Sequence, residues 1–273
     1  MEYISEIAAW QSWVLFVGLG VFLGLERWVP FRVSVQGKLL HVATNLTIAG
    51  SNALVVTLLV GGVLLVWIDW VNRQGWGLLH HMGFGLTGNI VASVILLDLI
   101  FYGVHRANHR FPILWRFHRA HHSDLEVDVT TALRFHVGKV CISTGIKAVI
   151  IPVMGIPGIG WLVYEIVAQA VSQFQHGNVR MPNPVDMRVR RVLVTPRMHW
   201  VHHSRRSVDH NTNYGTIFSA WDRWLGTYRM QARREEIQVG LDEYPLPERG
   251  NLLQFFAIPF GAGCRSGPQG SGE

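Results

Sequence analysis

Eight of the 14 histidines occur in three short clusters. The first cluster is the pair His105 and His109, and the other two repeat the pattern H-x-x-H-H. The repeats consist of His118, His121 and His122, and of His199, His202 and His203. Because residues three or four positions apart lie on one face of an α-helix, each cluster predicts a helix that presents two or three imidazoles together.

Metal binding is the chemistry that fits so many neighbouring imidazoles. As cations they would repel one another, and as buried neutral rings each would need a hydrogen-bond partner. A metal ion binds the neutral ring and removes both problems. Eight ligands exceed the four of a structural zinc site, so the clusters predict two metal ions. A basic surface patch would explain one cluster, but it explains three of them poorly.

The composition places these clusters in a membrane protein. Charged residues make up 15% of the chain and hydrophobic residues 49%, whereas a soluble domain carries about 25% charged residues. Apolar runs at 7–25, 46–68 and 86–104 are each long enough to cross a bilayer. A fourth run, 141–171, is interrupted by Pro and Gly and predicts a broken or re-entrant hairpin. We therefore expect an all-α, multi-pass transmembrane protein with about four membrane segments and a helical cap that holds the histidines.

The charge pattern predicts the orientation of the chain in the membrane. The net charge is +6, and the basic residues alternate with the apolar runs, which is typical of membrane topology and argues against nucleic acid as a partner. Arg27, Arg32 and Lys38 predict a cytoplasmic first loop, which puts the histidine clusters on the cytoplasmic side. We divide the chain into N-terminal membrane helices (1–88), a catalytic domain (89–230) and a C-terminal segment with a disordered tail (231–273).

The order H-x-x-x-H, H-x-x-H-H, H-x-x-H-H resembles the fatty acid hydroxylase/sterol desaturase superfamily. Flanking stretches such as Asp98–Arg106, Trp115–Ser123 and Trp221–Tyr228 extend the resemblance over about half of the chain. The resemblance implies an integral-membrane oxygenase in which two non-haem irons activate O2. The substrate would be a sterol or fatty-acyl lipid in the bilayer, and the reaction hydroxylation or desaturation.

The resemblance adds His136 and His176 as candidate iron ligands. For His136 a role in orienting a ligand is an equal alternative. The superfamily often reads His-Pro-x-Glu at this point, whereas this chain reads His136-Val-Gly-Lys139, without the proline and the acid.

Three polar residues are predicted to support the site. Asp98 precedes His105 by two helical turns and lies in an apolar span, where an acid is costly and usually functional, although helix packing would also explain it. Asn178 and Asp222 are weaker candidates, because turn or cap residues have the same character. The other histidines, His41, His80, His81 and His210, are not expected to bind metal, and the first three are predicted to be solvated.

Electrons for an oxygenase must come from a separate protein, since the chain has neither a G-x-G-x-x-G nucleotide motif nor a His-Pro-Gly-Gly haem motif. Arginines such as Arg188 and Arg206 offer a docking surface for an acidic donor, but membrane orientation alone also explains them. The rival hypothesis is a membrane metal- or haem-binding transport or electron-transfer protein without oxygenase activity. It is disfavoured because a transporter places its ligands near the middle of the membrane.

Overall fold

A computed structural model describes residues 2–33, 37–59, 61–230, 237–245 and 251–261. Within these ranges the chain forms helices and no β-strand, which confirms the all-α prediction. The helices are α1 (Glu2–Trp28), α2 (Lys38–Leu59), α3 (Gly61–Arg73), α4 (Leu78–His81), α5 (Leu86–Arg110), α6 (Pro112–His122), α7 (Val137–Met154), α8 (Gly158–His176), α9 (Asn183–Val189), α10 (Pro196–His202), α11 (Ser207–His210), α12 (Ala220–Trp224) and α13 (Leu252–Ala257). Two short 3₁₀ helices lie at Val129–Leu133 and Ile258–Phe260.

Four of the described helices are long and apolar enough to cross a membrane. They are the Ala9–Trp28 part of α1, and the whole of α2, α5 and α7. Large apolar side chains on them, such as Trp13 and Leu58, are exposed at the protein surface, as expected for helices that face lipid. The prediction of a multi-pass membrane protein is therefore confirmed.

The predicted crossing at 46–68 falls on α2 and on the first part of α3. The helix α2 begins eight residues before the predicted start, at Lys38, and is described as far as Leu59; α3 is described from Gly61.

The interrupted run forms the predicted hairpin, built from α7 and α8. Gly155 ends α7 in the left-handed conformation (φ 66°), and Pro157 precedes the first residue of α8. At the hairpin tip the backbone packs against Gly77, where an added Cβ would lie 2.1 Å from the Gly155 nitrogen. The tip thus lies against the α3–α4 connection.

The histidine clusters meet where α5 and α8 end. The short helices α6 and α10, together with the 211–228 loop region, cover this end as a cap. Asp98 fastens the cap to the membrane helices, because its buried carboxylate accepts hydrogen bonds from the Ile217 and Phe218 amides and the Trp221 indole. The predicted disorder of the tail falls on residues 262–273, which lie outside the described residues.

Candidate metal centre

Nine imidazoles form two compact groups, and within each group one nitrogen from every ring lies within 4.8 Å of those from the other rings. The five-histidine group contains His105, His109, His118, His122 and His202. The four-histidine group contains His121, His176, His199 and His203. The structure thus brings together all eight residues of the sequence clusters and one of the two further candidates, His176.

Neighbouring histidines in each H-x-x-H-H motif belong to different groups. On α6, His118 and His122 enter the five-histidine group, whereas His121 enters the other. On α10, His202 joins the five-histidine group and His203 the four-histidine group. Each of the two helices therefore contributes histidines to both groups and fixes the distance between the groups.

The Nε2 atoms of these rings approach one another closely. The Nε2 atom of His118 is 3.1 Å from that of His105 and 3.2 Å from that of His122. In the second group, the Nε2 atom of His176 is 3.2 Å from that of His121 and 3.0 Å from that of His199. Two lone pairs at this distance repel each other, so the arrangement is stable only with a proton or a cation among them.

Four of the rings are hydrogen-bonded through Nδ1 to a backbone carbonyl. The Nδ1–H of His105 donates to the Tyr214 carbonyl at 2.9 Å, and that of His202 donates to the Thr212 carbonyl at 2.7 Å. His121 and His176 donate in the same way to the carbonyls of Arg134 and Ser172. Because this hydrogen bond places the proton on Nδ1, the Nε2 lone pair of each ring is free to bind a metal.

The rings are held in the neutral form that binds metal. Burial lowers the pKa of His118, His121 and His122 well below the usual value, and neighbouring imidazoles lower it further. Burial and nearby imidazoles likewise lower the pKa of His199 and His202. Several buried nitrogens, including His202 Nε2 and both ring nitrogens of His109 and His203, have no hydrogen-bond partner among the described residues. Neutral donors and unpaired buried nitrogens together fit a metal ligand set.

The two groups are in direct contact. His122 of the five-histidine group stacks on His203 of the four-histidine group, with ring centroids 4.5 Å apart and planes 21° apart. The ring centroids of His118, in the five-histidine group, and His121, in the four-histidine group, are 5.5 Å apart. This geometry suits two neighbouring metal positions better than two independent sites.

His136 lies outside both groups. It is the N-cap of α7, where its Nδ1 accepts a hydrogen bond from the Gly138 amide at 3.0 Å. Its Nε2–H donates to the Phe256 carbonyl at 3.2 Å. Both ring nitrogens of His136 are thus hydrogen-bonded to backbone groups, and the structure does not bring this residue together with the nine grouped histidines.

The three predicted supporting residues make no hydrogen bond to a ligand imidazole. Asp98 holds the cap segment at residues 217–221, as described above. Asp222 accepts hydrogen bonds from the amides of Tyr214 and Gly215, and so fixes the peptide whose carbonyl orients His105. Asn178 exchanges two hydrogen bonds with the backbone of Arg32, which ties the end of α8 to the α1–α2 connection.

The sequence-based interpretation of His41 as a solvated residue is wrong. His41 lies on α2, and its ring bridges Asp124 at 2.9 Å and Asp128 at 3.0 Å. Lys38 also contacts Asp128, and it reaches Glu26 on α1 at 2.8 Å. This largely buried network anchors the loop that follows α6 to α1 and α2. The spacing of Lys38 and His41, one helical turn apart before an apolar run, was the only sequence signal for it.

A cavity of about 140 Å³ adjoins both groups. Imidazoles from each group, among them His105, His118 and His176, form part of its wall. The side chains of Phe101, Val104 and Tyr164 supply apolar surface from the membrane helix α5 and from α8. Apolar side chains and histidines of both groups thus line one cavity.

Comparison with known proteins links this geometry to a family. The profile of the fatty acid hydroxylase family matches residues 90–227, which include all nine grouped histidines. The chain is 30% identical to the ornithine lipid hydroxylase OlsE of Rhizobium tropici over 153 residues, 56% of this chain and 45% of that protein. It is 25% identical to alkylglycerol monooxygenase of Caenorhabditis elegans over 265 residues, 94% of this chain and 48% of that protein.

Human alkylglycerol monooxygenase is 30% identical over 152 residues, 53% of this chain and 31% of that protein. The chain therefore spans about half, or less, of the length of these relatives. No solved structure matches the chain.

Proposed function

Because the chain belongs to the fatty acid hydroxylase family, we propose that it is a membrane-bound, O2-dependent lipid hydroxylase with a histidine-ligated di-iron centre. The observation that carries the proposal is the pair of adjoining histidine groups, five and four imidazoles, at one end of the membrane helices. Desaturation, the other outcome expected from the sequence, uses the same centre. The names of the relatives, a lipid hydroxylase and a monooxygenase, favour hydroxylation.

Two irons held by the nine imidazoles would supply the O2 activation needed to oxidise an unactivated C–H bond. The five-histidine and four-histidine groups would each hold one iron, since imidazole nitrogen suits iron and each group has its ligand atoms within 4.8 Å. His176 is part of this proposed ligand set, and His136 is not.

The protein's own residues orient the ligands and keep the site dry. The carbonyls of Tyr214 and Thr212 fix the tautomers of His105 and His202, so that the Nε2 atoms are presented without reorganisation. The apolar part of the cavity wall, formed by Phe101, Val104 and Tyr164, would exclude water from the oxidised carbon and limit side reactions. A lipid tail would remain among α5, α7 and α8 while its reacting segment lies in the cavity.

Orientation and electron supply follow from the charges. We propose that the histidine end faces the cytoplasm, because the basic first loop contributes Lys38 to the network beside the site. Electrons would come from a separate protein. The side chains of Arg188 and Arg191, at the end of α9, and of Arg206, before α11, are exposed and offer a surface for an acidic donor.

The test is oxidation of lipid by the purified full chain. The protein, loaded with iron and given a chemical reductant and isotopically labelled O2, would be incubated with a membrane lipid extract. The proposal predicts a lipid product that carries one labelled oxygen atom. A product that lacks two hydrogens and carries no label would indicate desaturation. Unchanged lipids in a preparation with full iron content would contradict an oxygenase and favour the rival transport or electron-transfer function.

A further inference from the structure

The grouped histidines are out of reach of an electron carrier at the protein surface. Eight of the nine are buried, and the ninth, His105, forms part of the cavity wall. An electron from a carrier must therefore cross intervening side chains. Because electron transfer slows steeply as the gap between two redox groups widens, aromatic rings in contact provide a better path than loosely packed side chains. Rings that connect the surface with either histidine group are thus candidates for this path.

Trp115, on α6, contacts the five-histidine group. The centroid of its indole ring lies 4.9 Å from that of His109 and 5.4 Å from that of His122. The indole is itself buried, with 6% of the residue exposed. It also stacks on the imidazole of His210, with centroids 5.5 Å apart and planes 16° apart. Trp115 therefore joins His210 to two histidines of the five-histidine group.

His210 extends this contact to the surface. It is the last residue of α11 and is half-buried, whereas Ser207 and Val208 on the same short helix are exposed. The side chain of Arg206, directly before α11, is 59% exposed. Two ring contacts, first from His210 to Trp115 and then from Trp115 to the histidines, thus lead from an exposed helix to the five-histidine group.

The cavity contacts the histidine groups through other residues. Among the described residues that line it, neither Trp115 nor His210 occurs. Phe135, which does line it, stacks on His121 of the four-histidine group with centroids 4.6 Å apart. An electron carrier at α11 would therefore not occupy the cavity in which the lipid is proposed to react.

We propose that His210 and Trp115 form the path by which electrons enter the five-histidine group, and that α11 is the surface that the electron carrier approaches. Hydroxylation of one C–H bond by O2 consumes two electrons and two protons and releases one water molecule. The carrier, a one-electron redox protein, is oxidised in two separate steps, and each step reduces one ferric iron to ferrous iron. The inference rests on the proposed function, since it names the electron supply of that same centre. Of the arginines considered for docking, Arg206 lies beside this path.

Light-driven electron transfer tests the path without lipid or O2. A ruthenium(II) polypyridyl complex would be attached to the thiol of Ser207→Cys, in a full chain in which Cys141→Ser and Cys264→Ser remove the native thiols. After a flash, ascorbate reduces the excited complex, and the complex passes that electron to ferric iron. The decay of the reduced complex, followed by its absorbance under anaerobic conditions, measures the transfer rate. This decay is expected to be faster in the iron-loaded protein than in the metal-free protein.

Substitutions of the two rings show whether the electron follows them. Trp115→Leu and His210→Leu should each slow the transfer about tenfold, which corresponds to about 1.4 kcal/mol in the activation free energy, because an aliphatic side chain leaves a gap between the rings. Trp115→Phe and His210→Phe, which keep a ring in place, should retain most of the rate. Phe135→Leu is the matched control, since it also removes a ring stacked on a grouped histidine, and should leave the rate unchanged. Iron content would be measured for every variant.

The outcomes separate the two proposals. A decay that is no faster with iron than without it would overturn the path, as would leucine variants of normal iron content that transfer electrons at the unaltered rate. Fast transfer through the two rings in a protein that oxidises no lipid would support the path and contradict the hydroxylase function. Lipid hydroxylation driven by a chemical reductant, together with transfer that is insensitive to both rings, would support the hydroxylase function and overturn the path.

Discussion

His105 donates its Nδ1–H to the carbonyl of Tyr214 across 2.9 Å, and this bond links the membrane helix α5 to the cap. The Tyr214 amide is held in turn by the Asp222 carboxylate at 2.7 Å. Thr227 donates its hydroxyl to the same carboxylate oxygen, also at 2.7 Å. A ligand imidazole is thus oriented by an acid that never touches it.

Asp222→Asn should lower iron occupancy and activity by about 10- to 100-fold, the usual effect of removing a group that orients a metal ligand. The amide replaces one carboxylate oxygen by an NH2 group, which faces a donor in either orientation: the Gly215 amide at one oxygen, or the Tyr214 amide and the Thr227 hydroxyl at the other. The Tyr214–Gly215 peptide therefore shifts, and His105 loses its orientation. Iron content and initial rate would be measured together. Asp69→Asn, which alters a half-exposed acid paired with Arg73, should leave both unchanged. Full iron content and full activity in Asp222→Asn would refute this role.

His136 and His176 should respond differently to the same substitution. His176→Gln should lose bound metal, because His176 Nε2 lies at 3.0–3.2 Å from two other ligand nitrogens. His136→Gln should keep the metal and lose about 1 kcal/mol of stability through the weaker N-cap of α7. Elemental analysis and thermal unfolding distinguish the two effects. Loss of metal in His136→Gln would return His136 to the ligand set.

His41→Ala should destabilise the protein by about 3 kcal/mol, since removal of one partner from a buried ion pair leaves charges uncompensated. The residue bridges Asp124 and Asp128, and its side chain is 14% exposed. Unfolding would be followed by circular dichroism at neutral pH. His80→Ala, at an exposed histidine on α4, is the matched control and should change stability little. A variant as stable as the control would show that the bridge is dispensable.

Acid should destabilise the metal-free protein. The pKa of His118, His121, His122 and His199 is lowered by burial, whereas the unfolded chain binds protons at these residues near pH 6.5. The unfolded state therefore binds more protons below about pH 6.5, and stability falls as the pH falls through and below that value. Denaturant unfolding at pH 7.5 and at pH 5.5 measures the difference. Equal stability at the two pH values would mean that these rings are not held neutral.

The histidine spacing predicted much of the site, because i, i+3, i+4 contacts are a local property of a helix. The motif around His118 could therefore be placed on one helix face, and the run at 86–104 on a membrane helix. The division of each motif between two groups was not predictable, since whether His121 or His122 joins a given group depends on how α6 and α10 pack. The cost of an acid in an apolar span singled out Asp98, but only the structure shows that its partners are the amides of Ile217 and Phe218 and the Trp221 indole.

Contacts between distant residues account for what the sequence did not reveal. His41 precedes Asp124 by 83 residues, and no local pattern marks it as the partner of that acid. His136 stands where the superfamily often reads His-Pro-x-Glu, and in this chain it caps α7. Lys139, which stands in place of the acid of that stretch, lies in the cavity wall.

Elemental analysis of the full chain, purified from iron-replete cells, tests the central claim most directly. Five and four imidazoles in two adjoining groups predict two iron atoms per chain and no haem absorbance. His118→Ala, which removes the ring whose Nε2 lies 3.1 Å from His105 Nε2, should reduce the iron content while the protein still inserts into membranes. A single zinc per chain, with no iron, would contradict the account.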